Sequence, residues 1–116
     1  MRFALLAVFL SVPAFATSLT LEGSTDSLEV VTSTAISIDY QVSWSNVTAT
    51  ALTTPGVTVG NIASATTTTL IAAPAGSNWR HVRGVSLRNA GATANVVTVQ
   101  VNRSAGLRTL YRTSLA

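Results

Sequence analysis

The sequence predicts an all-β protein: an antiparallel β-sandwich or jelly-roll-like single domain, with an apolar N-terminal arm in front of it. Residues 35–44 carry the clearest strand signal. Ile36, Ile38, Tyr40, Val42 and Trp44 fall on one face, and Ser37, Asp39, Gln41 and Ser43 on the other. Turn-forming clusters recur about every ten residues, the spacing of an antiparallel sandwich. No stretch of the body has apolar residues at helical spacing long enough to compete. With 116 residues, 47% of them hydrophobic, the chain can bury one core and is too short for two domains.

Met1 and Arg2 precede an apolar run from Phe3 to Val12, then Pro13 and Ala14-Phe15-Ala16. A basic start, a short apolar stretch and an A-x-A site make a secretory-signal pattern, with cleavage expected before Thr17. The run is too short for a stable membrane span. Retained instead, residues 1–16 form an apolar arm that must bury Phe3, Leu6 and Phe9 against a partner. The sandwich domain is expected over residues 17–116.

Leu19 and Leu21 alternate with polar neighbours, and Leu28-Glu29-Val30-Val31 follows a turn cluster from Gly23 to Ser27. After the strand ending at Trp44, a short strand from Val47 to Leu52 is expected to lead into a turn at Thr53-Thr54-Pro55-Gly56. Val57 and Val59 lead to a second turn signal, Gly60-Asn61. Thr66 to Ile71 is β-branched and unsuited to helix, and Ala72 to Asn78 closes it with a loop. Between Trp79 and Asn89, Gly84 interrupts the phase set by Val82, Val85 and Leu87, the signature of a bulge. Asn89-Ala90-Gly91 turns the chain. Val97, Val99 and Val101 form an inward row, and Arg103 to Gly106 is a hairpin-length connection. Leu107 to Leu115 is the last strand, with Leu110 as its expected core residue.

Charge is scarce and segregated. Only 9% of residues are charged, against about 25% in ordinary soluble domains. The four acids, Glu22, Asp26, Glu29 and Asp39, come first; six of the seven basic residues come from Arg80 onward, all of them arginine. Nothing between Tyr40 and Trp79 is charged. Arginine without lysine favours directed contacts to carboxylates and carbonyls over a diffuse cationic field. The split predicts that acid-bearing early strands meet arginine-bearing late ones, within a subunit or between copies. A dense basic stripe with interleaved aromatics is missing, so no direct nucleic-acid binding is expected.

The residues offer little chemistry. Without cysteine there is no thiol catalysis, disulfide or zinc–thiolate site. Glu22, Asp26 and Glu29 fall in or beside a polar turn, where solvated acids are expected, and Asp39 on an outer strand face. No pair has the setting of a glycosidase. His81 is the lone histidine, between Arg80 and Arg83, and no G-x-S-x-G is present. Neither catalytic residues, metal ligands nor a cofactor are expected. Trp44 continues an apolar face and reads as core, whereas Trp79 is open to interface packing or ligand stacking.

The order of segments carries one more signal. Ile38 to Trp44, Pro55-Gly56, Gly60-Asn61-Ile62, Thr66 to Ile71, Ala73-Pro74-Ala75, Arg80-His81-Val82, Ser86 to Asn89 and Val97 to Val101 follow one another. This succession resembles small structural proteins of tailed bacteriophages and prophages, virion components of the capsid-decoration or tail type. The resemblance implies a β-sandwich that coats or joins other virion proteins and carries no catalytic residues. Such chains usually continue past the position of Leu115, and they usually lack a signal-like start. The expectation is therefore a non-enzymatic capsid decoration (cement) protein located in the virion. It would associate with itself and with the major capsid protein or other virion proteins. Its interface would be Phe3, Leu6 and Phe9 of the arm with Trp79, Arg80, Arg83, Arg88, Arg108 and Arg112. The alternatives are a tail or fibre component with a receptor-binding role, and a secreted or periplasmic adhesin-like subunit after signal cleavage.

Overall fold

The computed structural model describes residues 19–104 and 106–116, apart from the side chain of Thr54. Phe3, Leu6 and Phe9, and with them the predicted arm, lie outside the described residues. The chain forms eight strands: β1 (Leu19–Glu22), β2 (Ser27–Thr32), β3 (Ile38–Val47), β4 (Leu52–Ile62), β5 (Thr67–Ile71), β6 (Trp79–Asn89), β7 (Asn95–Arg103) and β8 (Gly106–Leu115). They build two four-stranded antiparallel sheets, ordered β1-β6-β3-β4 and β5-β2-β7-β8. The two sheets pack as the β-sandwich that alternation and turn spacing predict.

The core follows from period two. On β2 and β7 the pairs Leu28–Val101 and Val30–Val99 face inward and are buried. Leu21, Ile38, Val42, Val82, Val85 and Leu87 answer from the other sheet. Each such aliphatic side chain contributes about 1.5–3 kcal/mol when fully withdrawn from water. The predicted inward row Val97, Val99 and Val101 is therefore the centre of one sheet. The bulge foreseen at Gly84 is also present: Ser43 pairs with Gly84 and Trp44 with Val82, leaving Arg83 as the extra residue.

Two buried asparagines fix the loops at one end. Asn95 receives the backbone N–H groups of Ser33 and Thr34 and the Ser33 hydroxyl on its Oδ1, each at 3.2 Å. Its Nδ2 donates to the carbonyls of Thr34 and Ile36, both at 3.1 Å. Asn89 Nδ2 donates to the Thr93 and Leu115 carbonyls, and Gly91 N–H donates to Asn89 Oδ1. A buried amide with every group paired acts as a clamp on the irregular backbone that would otherwise lose water without replacement.

Several expected boundaries fall elsewhere. The long strand begins at Ile38 and runs on to Val47, so Ile36 stands outside it. Residues 48–51 are the turn, with Thr48 N–H donating to the Ala51 carbonyl at 2.9 Å. Val47–Leu52 is thus not a separate strand. The turns expected at Thr53–Gly56 and Gly60-Asn61 lie inside β4, which is extended throughout. The cause is packing from β3. A side chain at Gly56 would overlap the Trp44 ring, and one at Gly60 would meet the Tyr40 hydroxyl at 2.5 Å. These glycines make room for aromatics, not for a turn. Pro55 is tolerated because β4 is an edge strand. On β8 the fully buried residue is Leu115, while Leu110 is only half-buried, because the register shifts opposite Val99 and Gln100.

Candidate interaction surface

The acids are not the solvated cluster that their sequence setting suggests. Asp26 is buried: its Oδ2 accepts the Glu22 N–H at 3.1 Å and meets Arg103 Nε at 3.5 Å. Glu29 is also buried, on the outer face of the β5-β2-β7-β8 sheet, accepting from Gln100 Nε2 at 3.0 Å and Asn102 Nδ2 at 3.2 Å. Flanking amides and a single arginine replace the hydration that a turn carboxylate would keep. Glu22 remains exposed. Asp39 pairs with Arg88 at 3.1 Å on the outer face of the other sheet and also accepts from Asn61 Nδ2 at 2.7 Å. Early acids therefore meet late arginines within one subunit in two places.

The interface residues expected on the described part of the chain do not form one patch. Trp79 opens β6, half its surface exposed, opposite Glu22 and Val47. Arg80 points to the other side of the strand, where its guanidinium lies 4.4 Å from the centroid of the Trp44 ring. It donates from Nε to Asn46 Oδ1 at 2.7 Å and from Nη1 to the Ala72 carbonyl at 2.9 Å. Desolvation by this half-burial pushes the Arg80 guanidinium below its ordinary pKa. Arg83 is exposed at the β6 bulge, and Arg88 is engaged with Asp39 at the far end of β6. Arg108 and Arg112 are exposed on β8, opposite Val101 and Thr98 in the second sheet. The late arginines are thus divided between contacts within the subunit, by Arg80, Arg88 and Arg103, and surface display, by Arg83, Arg108 and Arg112.

His81 Nδ1 lies 2.9 Å from the Thr20 hydroxyl, across the β1–β6 pair. Among the described residues, no three His, Asp or Glu side chains converge in a way that would hold a metal ion.

The most distinctive apolar surface lies where the sequence suggests turns. Leu52, Val57 and Val59 of β4 are 69%, 59% and 67% exposed, on the strand that ends its sheet. Val57 and Val59 point outward, opposite Ser43 and Gln41 of β3. The available signal was the alternation of Gly56, Thr58 and Gly60 with these valines, which the nearby proline and glycines disguised as turns. At the other sheet's end, β8 exposes Leu107 beside its arginines. Among the described residues, the fold defines a class: a two-sheet β-sandwich with two long edges that no other strand pairs, one uncharged and one arginine-bearing. No protein-family model, curated protein or solved structure matches the chain.

Proposed function

We propose that the protein is a non-enzymatic structural subunit of a virus particle, a decoration protein seated on the capsid shell. The observation that carries the subunit reading is the pair of long open strand edges with large exposed apolar side chains. Monomeric proteins blunt such edges or cover them, because each offers a row of backbone donors and acceptors to any passing strand. The order of segments, which resembles that of tailed-phage structural proteins, supports reading the assembly as a virion. In this reading Arg83, Arg108 and Arg112 meet carboxylates of the shell protein through directed hydrogen bonds. Leu107 supplies apolar contact beside the β8 arginines, and Trp79 supplies it separately on β6. Many copies on one shell make individually weak contacts sufficient.

The test is mass spectrometry and imaging of purified particles from cells that carry the coding sequence. The expected result is the polypeptide present in many copies on the head. Density on the tail tip instead, with Trp79 facing outward, would favour a receptor-binding tail component that stacks a glycan on that ring. Its absence from the particles would overturn the virion reading.

A further inference from the structure

The four sheet edges are not equivalent. β1 and β5, with 4 and 5 residues, are too short to template much pairing. β8 has 10 residues but exposes Arg108 and Arg112, whose like charges would oppose a second β8. β4 has 11 residues and no charge of either sign. Only Pro55, near its start, interrupts its row of donors.

The sequence of β4 is also symmetric about Thr58: Gly56-Val57-Thr58-Val59-Gly60 reads the same in both directions. A two-fold interface requires self-complementarity, since each residue meets its symmetry partner's counterpart. A strand that is palindromic in sequence meets that condition when it pairs antiparallel with its own copy. We propose that β4 is a homodimer seam. Two copies pair antiparallel about Thr58 and join their four-stranded sheets into one continuous sheet.

The register follows from the fold. Residues 54–62 of one copy run against 62–54 of the other, a seam of about 30 Å at ~3.4 Å per residue. Val57 lies opposite Val59 of the second copy, and Gly56 opposite its Gly60. A proline in an edge strand turns its nitrogen to the open side. By alternation, Val57 and Val59 also direct their N–H and C=O groups outward. Each Val57–Val59 pair can then exchange two backbone hydrogen bonds. On the outer face the seam gathers four valines that are more than half exposed in the single chain. On the inner face the Trp44 and Tyr40 rings occupy the space above Gly56 and Gly60. Across the two-fold, Trp44 of one copy comes beside Tyr40 of the other. The dimer consumes β4 on both sides, so the association closes instead of growing into a filament.

The seam does not depend on the virion role, and the two fail separately. Light scattering and sedimentation of the full chain should give twice 12.0 kDa. Val57→Lys with Val59→Lys places like charges opposite each other, and should weaken association by ~100-fold or more. Val57→Glu with Val59→Glu should do the same. An equimolar mixture of the two variants should restore a dimer with one chain of each, by native mass spectrometry. Val57→Pro removes an outward N–H and should also give a monomer. Unchanged circular dichroism should accompany the lysine and glutamate variants, because these side chains are exposed in the single chain, while melting should lose the concentration dependence that a dimer confers. A wild-type monomer up to millimolar concentration would overturn the proposal. So would lysine variants that keep the dimer mass, or oppositely charged variants that fail to recombine.

Discussion

The Arg80 guanidinium stands 4.4 Å from the centre of the Trp44 ring and bonds at the same time to Asn46 and to the carbonyl of Ala72. One side chain thereby ties β6 to β3 and to the loop that brings the chain over from β5. The aromatic face attracts the cation, and the fork geometry supplies the directed bonds that an ammonium group could not match.

Arg80→Ala is accordingly expected to cost about 1–3 kcal/mol, the sum of a partly exposed cation–π contact and two charge-assisted bonds. Arg80→Lys should recover less than half of that loss, since it keeps the charge but not the fork. Urea unfolding with unchanged slope is the measurement. Equal stability of the lysine and wild-type chains would show that charge alone suffices.

Asn95 is the most demanding polar residue in the fold. It is fully buried, and its amide satisfies five groups of the β2–β3 connection. Asn95→Ala should cost about 3 kcal/mol or more, because buried backbone donors and carbonyls lose their partners together. Asn95→Asp should be at least as harmful at neutral pH, since a carboxylate faces the Thr34 and Ile36 carbonyls where Nδ2 now donates. A loss below about 1 kcal/mol in either variant would mean that water replaces the amide.

Much of this architecture is legible in the sequence where one physical rule dominates. Ile38, Tyr40, Val42 and Trp44 alternate cleanly because one face of β3 is buried. Val97, Val99 and Val101 do so for the same reason. The Gly84 bulge is visible because a phase slip in such a pattern has few other causes. The rule fails at β4, where local and tertiary signals conflict. Gly56 and Gly60 carry turn propensity, but the neighbouring strand places aromatic rings over them, and packing prevails. The acids fail for a related reason: nothing local reveals that Gln100, Asn102 and Arg103 will arrive from β7 to receive Glu29 and Asp26. The candidate surface was half legible. The arginines were visible as a class, but their division between two sheets depends on strand order, which the one-dimensional pattern does not contain.

The two ion pairs should differ in worth. Asp26 is almost fully buried, with a side-chain exposure of 6%, whereas Asp39 and Arg88 are both nearly half exposed. Removing Asp26 also strips the Glu22 N–H of its acceptor. Asp26→Ala is expected to cost about 1–3 kcal/mol, and Asp39→Ala about 1 kcal/mol or less. Raising salt to molar concentration should weaken the exposed pair more than the buried one. Double-mutant cycles with Arg103→Ala and Arg88→Ala separate each pair from its surroundings. A larger coupling for the exposed pair would reverse the ranking that burial dictates.

Glu29 tests the asymmetry between losing a partner and losing both. Its two carboxylate oxygens accept from the amides of Gln100 and Asn102 on the neighbouring strand, and the group is withdrawn from bulk water. Glu29→Ala leaves both amides without their acceptor and removes a side chain from the middle of a sheet, so a loss of about 1–2 kcal/mol is expected. Glu29→Val combined with Gln100→Val removes the acceptor together with its buried donor, and leaves only the half-buried Asn102 amide to be satisfied by water. It also places a β-branched pair at directly opposed positions of an antiparallel ladder, an arrangement that suits the pleat. That double variant should fall within about 1 kcal/mol of the wild type and recover most of what the single change loses. Thermal and urea unfolding of the three chains decide the matter. If the double variant is less stable than Glu29→Ala, the carboxylate–amide cluster contributes net stability of its own, and the outer face of this sheet is held by polar contacts more than by strand packing.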